Sequence, residues 1–285
     1  MRIRIDLAYD GTDFHGWAAQ PRLRTVQGEV EAALATALRV PEVSVVCAGR
    51  TDTGVHARGQ VVHLDVAAEQ LAASAGRSQD PPLTALLRRL NGILPPDVRA
   101  RRAETVPEGF DARFSALWRR YAYRVADDAA VVDPLARRHV LAWSRPLDLS
   151  LMNAASADLV GHHDFASFCK RREGATTIRT LLGLDWSRDA TGVAVATVRA
   201  DAFCHSMVRA LVGCLLAIGE GRRPVTWAGE QLSARERDPA VSVAHAHGLT
   251  LEEVAYPADE ELAARADRTR ARRTPVGAVE ETGAP

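Results

Sequence analysis

Asp52 sits in the run GRTDTGVHARGQVVH, Gly49 to His63, which gathers Arg50, Asp52, His56 and Arg58 into one short stretch. The part from Gly49 to Arg58 is polar and flanked by glycine, so a loop between two strands is expected there. A carboxylate carried on such a loop stands at the edge of a cleft. With a cation nearby an aspartate stays ionised at neutral pH, which suits a nucleophile and does not suit a general acid. On residue types alone a second reading stands beside this one: Thr-Asp-Thr-Gly is also a turn in which Asp52 hydrogen-bonds its own loop. Two further side chains carry chemistry. Arg209 lies on an apolar helical stretch, where a guanidinium that becomes buried needs an anionic partner. Tyr121, in RRYAY, alternates as a strand residue facing a core does.

The elements that must position these groups follow from periodicity. Ile3, Ile5, Leu7 and Tyr9 alternate with polar neighbours as in a half-buried strand, ending at the Asp10-Gly11 turn signal. Thr25 can cap a helix whose Val26, Val30, Leu34 and Leu38 share a face, with Pro41 as its stop. Strands are expected at Val43 to Cys47 and Gln60 to Val66, a helix at Leu83 to Asn91 and a strand at Val98 to Glu104. That β-α-β-β-α-β order is ferredoxin-like. A second half starts with a strand at Trp118 to Val125 and a helix near Leu151 to Val160. Strands at Thr180 to Trp186 and Gly192 to Ala200 come next. A helix from His205 to Ile218, ended by Gly219 and Gly221, a helix near Trp227 to Leu232 and a strand at Leu249 to Tyr256 complete it. The expected fold class is α+β, with halves 1–108 and 109–257 that copy each other in element order. From 258 to 285 charge, Ala, Pro and Gly predominate, and a mobile tail is expected.

With 285 residues, 47% of them hydrophobic, the chain can bury a substantial core. No apolar stretch approaches bilayer length and the N-terminus has no signal-peptide block, so no membrane association and a cytoplasmic location are expected. Cys47, Cys169, Cys204 and Cys214 form no CxxC pair, and are read as small buried residues in a reducing compartment, with neither metal nor disulfide framework. Formal net charge is zero, but nearly all positive charge is arginine, clustered at Arg88/Arg89, Arg99 to Arg102, Arg119/Arg120 and Arg137/Arg138. A local basic cleft on a neutral protein is compatible with nucleic acid.

Three segments resemble the TruA family of tRNA pseudouridine synthases in order and spacing: YDGTDFHGW (Tyr9 to Trp17), TVQGEVEAAL (Thr25 to Leu34) and GRTDTGVHARGQVVH. The resemblance continues through FDARFSALWRRYAY (Phe110 to Tyr123), HHDFASFCK (His162 to Lys170) and AFCHSMVRALVG (Ala202 to Gly213), covering nearly all of the chain except the tail. It implies the pseudouridine synthase fold: two ferredoxin-like, RRM-like halves forming a mixed, largely antiparallel sheet with flanking helices and a central cleft. It implies Asp52 as the catalytic aspartate and Arg50 as the arginine that helps displace the target nucleotide. Tyr121 would pack on the uracil, as a candidate for moving the C5 proton, and Arg209 would pair with the aspartate. It also implies uridines 38 to 40 of the tRNA anticodon arm as substrate and a homodimer that shares one tRNA. Two departures stand out: Gly16-Trp17-Ala18 where GWQ is common, and His205-Ser206 where a His-His pair is common. Both are read as neighbours of the site that alter substrate contacts and leave the chemistry alone. His56, His63, His162 and His163 are read as structural or RNA-facing.

The implied reaction breaks the N1 glycosidic bond of uridine, turns the base in place and rejoins it through C5. No atom is acquired from a second substrate, so no cofactor is expected. Two rivals remain. Asp52-Thr53-Gly54 spells the DTG of aspartic proteases, but a protease dyad shares one proton between two carboxylates, and flanking Arg50 and Arg58 favour ionisation of both. A non-catalytic RNA-binding protein of the same fold is the other, against which stands the joint presence of Asp52, Tyr121 and Arg209. Motifs for phosphate-loop, dinucleotide and serine-hydrolase chemistry are absent.

Overall fold

A computed structural model describes residues 1–170 and 176–270. Strand β1 (Arg2–Tyr9) buries Ile3, Ile5 and Leu7 as its alternation requires. Helix α1 (Val26–Leu38) is capped by Thr25, whose hydroxyl accepts from the Gly28 amide, and it ends at Arg39 in the left-handed region, before Pro41 is reached. Strand β2 (Val46–Cys47) is shorter than expected, and β3 (His56–Asp65) starts earlier than Gln60. Helix α2 (Ala68–Ala75) escapes sequence reading because it buries only Leu71 and Ser74 and shows no apolar stripe. Helix α3 (Pro82–Ile93), opened by a proline whose missing amide costs nothing there, and β4 (Val98–Val106) finish the first half.

The second half runs β5 (Trp118–Ala126), β6 (Leu141–Ala142), α4 (Leu149–Ala157), β7 (Gly161–Asp164) and β8 (Ile178–Arg188), then β9 (Ala194–Ala200), α5 (Met207–Gly219), α6 (Trp227–Ala234) and β10 (Leu249–Ala255). One sheet joins both halves in the order β4-β1-β3-β10-β5-β9-β8-β7, with β2 beside β3 and β6 beside β5. Within the first half the order is β4-β1-β3-β2, and within the second β10-β5-β9-β8, all antiparallel. With the short strands β6 and β7 set aside, each half places its fourth, first, third and second strands in the same sequence, so the repeat in element order is a repeat in topology. The seam is different: β10 meets β3 in parallel, through Thr250 opposite His56 and Leu251 opposite Ala57.

Residues directly opposite on neighbouring strands share a face. Tyr9, Ala57, Leu251, Tyr121 and Val198 thus form a row across the seam, all of them buried and continuous with Ile3, Ile5 and Leu7. The same core holds Val30 and Leu34 of α1, Leu86 and Leu90 of α3, and the apolar face of α5. The opposite face carries Arg4, Asp6, Arg58 and Arg124 and is charged.

Three expectations need correction. The tail does not begin at 258: Asp259–Glu261 form a helical turn and α7 (Leu262–Arg270) follows, burying Leu262 and Ala266. Their spacing makes a narrow apolar stripe that a charged composition hides; the Leu262 carbonyl accepts from Ser115 Oγ, and Arg270 pairs with Asp111 at 2.9 Å. The remainder of the expected tail, 271–285, lies outside the described residues. Second, Cys169 and Cys204 are joined as a disulfide, while Cys47 and Cys214 are free and buried. Their meeting depends on a contact between two turns, where the Lys170 amide donates to the His205 carbonyl, which spacing along the chain does not reveal. Third, α5 starts at Met207 and not His205, because Ser206 adopts φ 62° and breaks the helical path.

Candidate active site

The loop from Ala48 to Val55 is held by the first motif of the chain. The Tyr9 hydroxyl shares a 2.7 Å hydrogen bond with Thr51 Oγ1, and Gln60 Nε2 reaches both Tyr9 Oη and the Gly49 carbonyl. The Trp17 amide donates to the Thr51 carbonyl and the Gly54 amide to the Phe14 carbonyl. Gly11 lies so close beneath the loop that a Cβ there would stand 2.0 Å from the Val55 carbonyl oxygen, and Gly54 has φ +78°, a conformation natural to glycine. Backbone from residues 9–17 therefore shapes the loop, and Asp52 need not spend its carboxylate on its own turn.

That carboxylate turns instead to the start of α5. Ser206 Oγ donates to Asp52 Oδ2 at 3.2 Å, Arg209 Nη1 lies 3.7 Å from the same oxygen, and His205 Nε2 lies 3.5 Å from Oδ1. The positive end of the helix dipole adds to this. Asp52 is 26% exposed and Arg209 20%, so the pair is shielded yet reachable. Arg209 is fixed by its Nε bond to the Ala244 carbonyl at 2.7 Å. The neighbouring segment is gripped twice more: Tyr123 Oη donates to the His245 carbonyl and His56 Nε2 to the His247 carbonyl. His56 Nδ1 accepts from the Gly11 amide at 3.0 Å, which identifies the neutral tautomer. Burial pushes its pKa below the usual histidine range, and this outweighs Asp10 Oδ1 at 3.1 Å, which lies beside Nδ1 without receiving a proton from it. His56 is structural, a pin between the two halves.

Tyr121 stands on β5 in the buried row, 7% exposed, edge-on to Phe203 with ring centroids 5.1 Å apart. Burial first, and the Asp52 charge second, push its phenol above the ordinary tyrosine range, so it stays protonated at neutral pH. Asp52, Arg209 and Tyr121 are thus brought together. Arg50 is not drawn to Asp52: it is exposed, its charge acts on the Cys47 thiol, and it makes no hydrogen bond or ion pair with a described residue. Arg58 points to the charged face and pairs with Glu252 at 3.2 Å. The cation that keeps Asp52 company is therefore Arg209, not Arg58. Among the described residues no group of three His, Cys, Asp or Glu side chains is arranged to hold a metal ion.

The family model described as tRNA pseudouridine synthase matches residues 7–115 and 155–257. The chain belongs to that family. Pseudouridine synthases of this kind are isomerases, and similar chains named tRNA pseudouridine synthase A extend over nearly the whole length. One from Streptomyces griseus is 60% identical, covering 98% of this chain and 96% of its own. One from Frankia casuarinae is 58% identical, with 96% of each chain covered, and one from Mycobacterium leprae is 52% identical, with 95% and 94% covered.

Within this pseudouridine synthase, three contributors went unread in the sequence. Ser206 and His205, expected to alter substrate contacts, also face the Asp52 carboxylate itself. The third is Arg119, buried in β5 beneath Tyr121, which donates to the carbonyls of Ala48, Arg113 and Asp201 and so roots the loop. Its signal was available: it occupies the same strand face as Tyr121 and Tyr123, where an unpartnered charge would be costly.

Proposed function

We propose that the chain converts uridine to pseudouridine at positions 38, 39 and 40 of the tRNA anticodon stem-loop, with Asp52 as the nucleophile. The observation that carries this is one shielded carboxylate 3.7 Å from the Arg209 guanidinium, with its charge acting on the buried Tyr121 phenol, at the seam of the two halves. Such a place admits a flipped base and excludes most water, which would otherwise intercept the detached sugar.

The reaction exchanges one C–N bond for one C–C bond. The N1–C1′ bond breaks, C5 bonds to C1′, C5 loses its proton and N1 acquires one. The Asp52 carboxylate has three entries to this sequence: attack at C1′, attack at C6, or assistance in removing a sugar proton to give a glycal. In each, Arg209 and Ser206 orient the oxygens, and Tyr121 supports the uracil as it turns. Its neutral phenol favours packing and hydrogen-bond donation over proton abstraction. Arg50, a guanidinium without a partner among the described residues, is available to fill the stack that the uridine leaves. Our reading further includes a homodimer that shares one tRNA and a cytoplasmic location.

The test is release of tritium from tRNA labelled at uridine C5. Purified wild type should release it, and Asp52→Asn should bind tRNA with unchanged affinity while release falls to background. Undiminished release by Asp52→Asn would refute the nucleophile assignment.

A further inference from the structure

A cavity of about 290 Å³ opens on the charged face of the sheet, lined among others by Arg58 of β3, Arg99 and Arg101 of β4, Arg138, and Asp10. Strand geometry explains why two arginines of one strand reach it. Opposite β1 the register shifts: Asp6 faces Arg102, Leu7 faces Ala100, and Arg101 is left over. Arg99 and Arg101, two residues apart, lie on one side of β4 by ordinary alternation; the extra residue keeps Arg102, opposite Asp6, on that side as well, and Arg99 and Arg101 are both exposed.

Much of the rest of this face is paired. Arg4 meets Asp6 and Glu104, Arg102 meets Glu104, and Arg120 meets Glu253. Arg58 and Arg124 share Glu252, an excess of cation that is offset where Arg138 lies between Asp10 and Asp13. Asp97, also at the cavity, is held by Arg24. Arg99 and Arg101 make no hydrogen bond or ion pair with a described residue. Arg99 and Arg101 therefore bring to this cavity two exposed guanidiniums with no hydrogen-bond or ion-pair partner among the described residues.

We propose that this cavity binds a phosphate group of the tRNA backbone, at a distance from the uridine held by Asp52. The proposal rests on the tRNA reading above. Guanidinium forks match phosphate oxygens in geometry as well as charge. Exposed walls hold one free phosphate weakly, but on an RNA already engaged elsewhere the same contact adds to binding through high effective concentration. The Asp10-Gly11 turn lines the cavity on one side and supports the Asp52 loop on the other, so RNA leaving the cleft past this turn meets the guanidiniums.

The test compares wild type, the double variant Arg99→Ala/Arg101→Ala and the double variant Arg99→Lys/Arg101→Lys, with full-length tRNA over a range of salt. In the alanine variant Kd should rise about tenfold at 0.1 M salt, and the slope of log Kd against log salt should flatten by about one phosphate contact or more. The rate at saturating tRNA should not change. Lysine should keep most of the salt slope, which separates lost charge from lost folding. Unchanged affinity and slope in the alanine variant would overturn the proposal. A melting-temperature rise with inorganic phosphate that the alanine variant loses, while tRNA affinity is kept, would overturn the RNA assignment. These are binding readouts, so a wild type that bound tRNA but released no tritium would count against the proposed reaction and leave this site standing.

Discussion

The two halves of the sheet hold the same carboxylate by different means. The first half grips the loop through backbone: amides of Trp17 and Gly54, the carbonyls they reach, and a glycine at van der Waals limits beneath Val55. At the carboxylate the second half brings Ser206, His205 and Arg209, 3.2 to 3.7 Å from the Asp52 oxygens, and it reaches the loop backbone through Arg119 at the Ala48 carbonyl. Backbone contacts fix where the loop can be, because they change only if the chain moves. Side-chain contacts at those longer distances adjust orientation and field, and they can tighten when substrate arrives. The first half does most of the building, with Arg119 as an anchor from the second, and the second half tunes the carboxylate.

The largest effect should come from breaking the builder. In Gly11→Ala the new methyl would meet the Val55 carbonyl at 2.0 Å, and the obstacle is backbone, which cannot swing aside as a side chain could. We expect a cost of about 1–3 kcal/mol in stability, read as a lower Tm, and activity reduced by about 100-fold or more, because the displaced segment carries Asp52. Near-wild-type activity at normal Tm would show that the loop is not set by this contact.

Next comes the boundary between the halves. Tyr121→Phe keeps the ring and its edge contact with Phe203 but removes the phenol on which the Asp52 charge acts. Turnover should fall by about 10- to 100-fold, in the range of a lost hydrogen-bond donor in a dry site, while tRNA affinity stays within a factor of about two. Equal losses in both would reduce Tyr121 to packing.

Acid should separate the halves without mutation. His56 and His63 accept at Nδ1 from the amides of Gly11 and Ala112, and burial holds both below the usual histidine pKa. Unfolded, each would take a proton near pH 6.5; folded, each resists. The unfolded state therefore binds more protons as pH drops past about 6.5, so stability falls as pH falls, by about tenfold in the opening constant per pH unit for each histidine until its folded pKa is reached. Protection factors at Gly11 and Ala112, with the intrinsic exchange rate divided out at each pH, should fall between pH 7 and 5 ahead of those of the α5 amides. Simultaneous opening of both regions would mean that the halves are one cooperative unit.

This division also explains what could be read in advance. Asp52, Arg209 and Tyr121 were legible because each is a charged or polar group in a setting that demands a partner, and local pattern shows that. The halves were legible because element order is written along the chain. What local pattern does not carry is pairing across the sheet. Strand β10 comes late in the chain yet lies at the centre, beside β3. Only that insertion brings the 244–247 segment under His56, Tyr123 and Arg209. The role of Gly11 was likewise invisible, since a near-contact with Val55 is a fact of three dimensions. Residues 259–270 read as tail because two buried side chains are too few to show among so many charges.

The smallest expected effect tests the tuner. Ser206 has a strained left-handed backbone, φ 62°, where a residue other than glycine is uncommon, and it spends its hydroxyl on Asp52 Oδ2. Ser206→Ala leaves the backbone and volume nearly intact and removes only that bond. A hydrogen bond to a charged group contributes about 1.5–3 kcal/mol when short, and this one, at 3.2 Å, belongs near the low end or below it. Because Arg209 and the α5 terminus still face the carboxylate, the loss should appear as a roughly 3- to 10-fold drop in turnover with Tm and tRNA affinity unchanged. If Ser206→Ala instead lowered Tm as much as Gly11→Ala, the hydroxyl would be holding the loop in place, and the separation between a half that builds and a half that tunes would fail at the carboxylate itself.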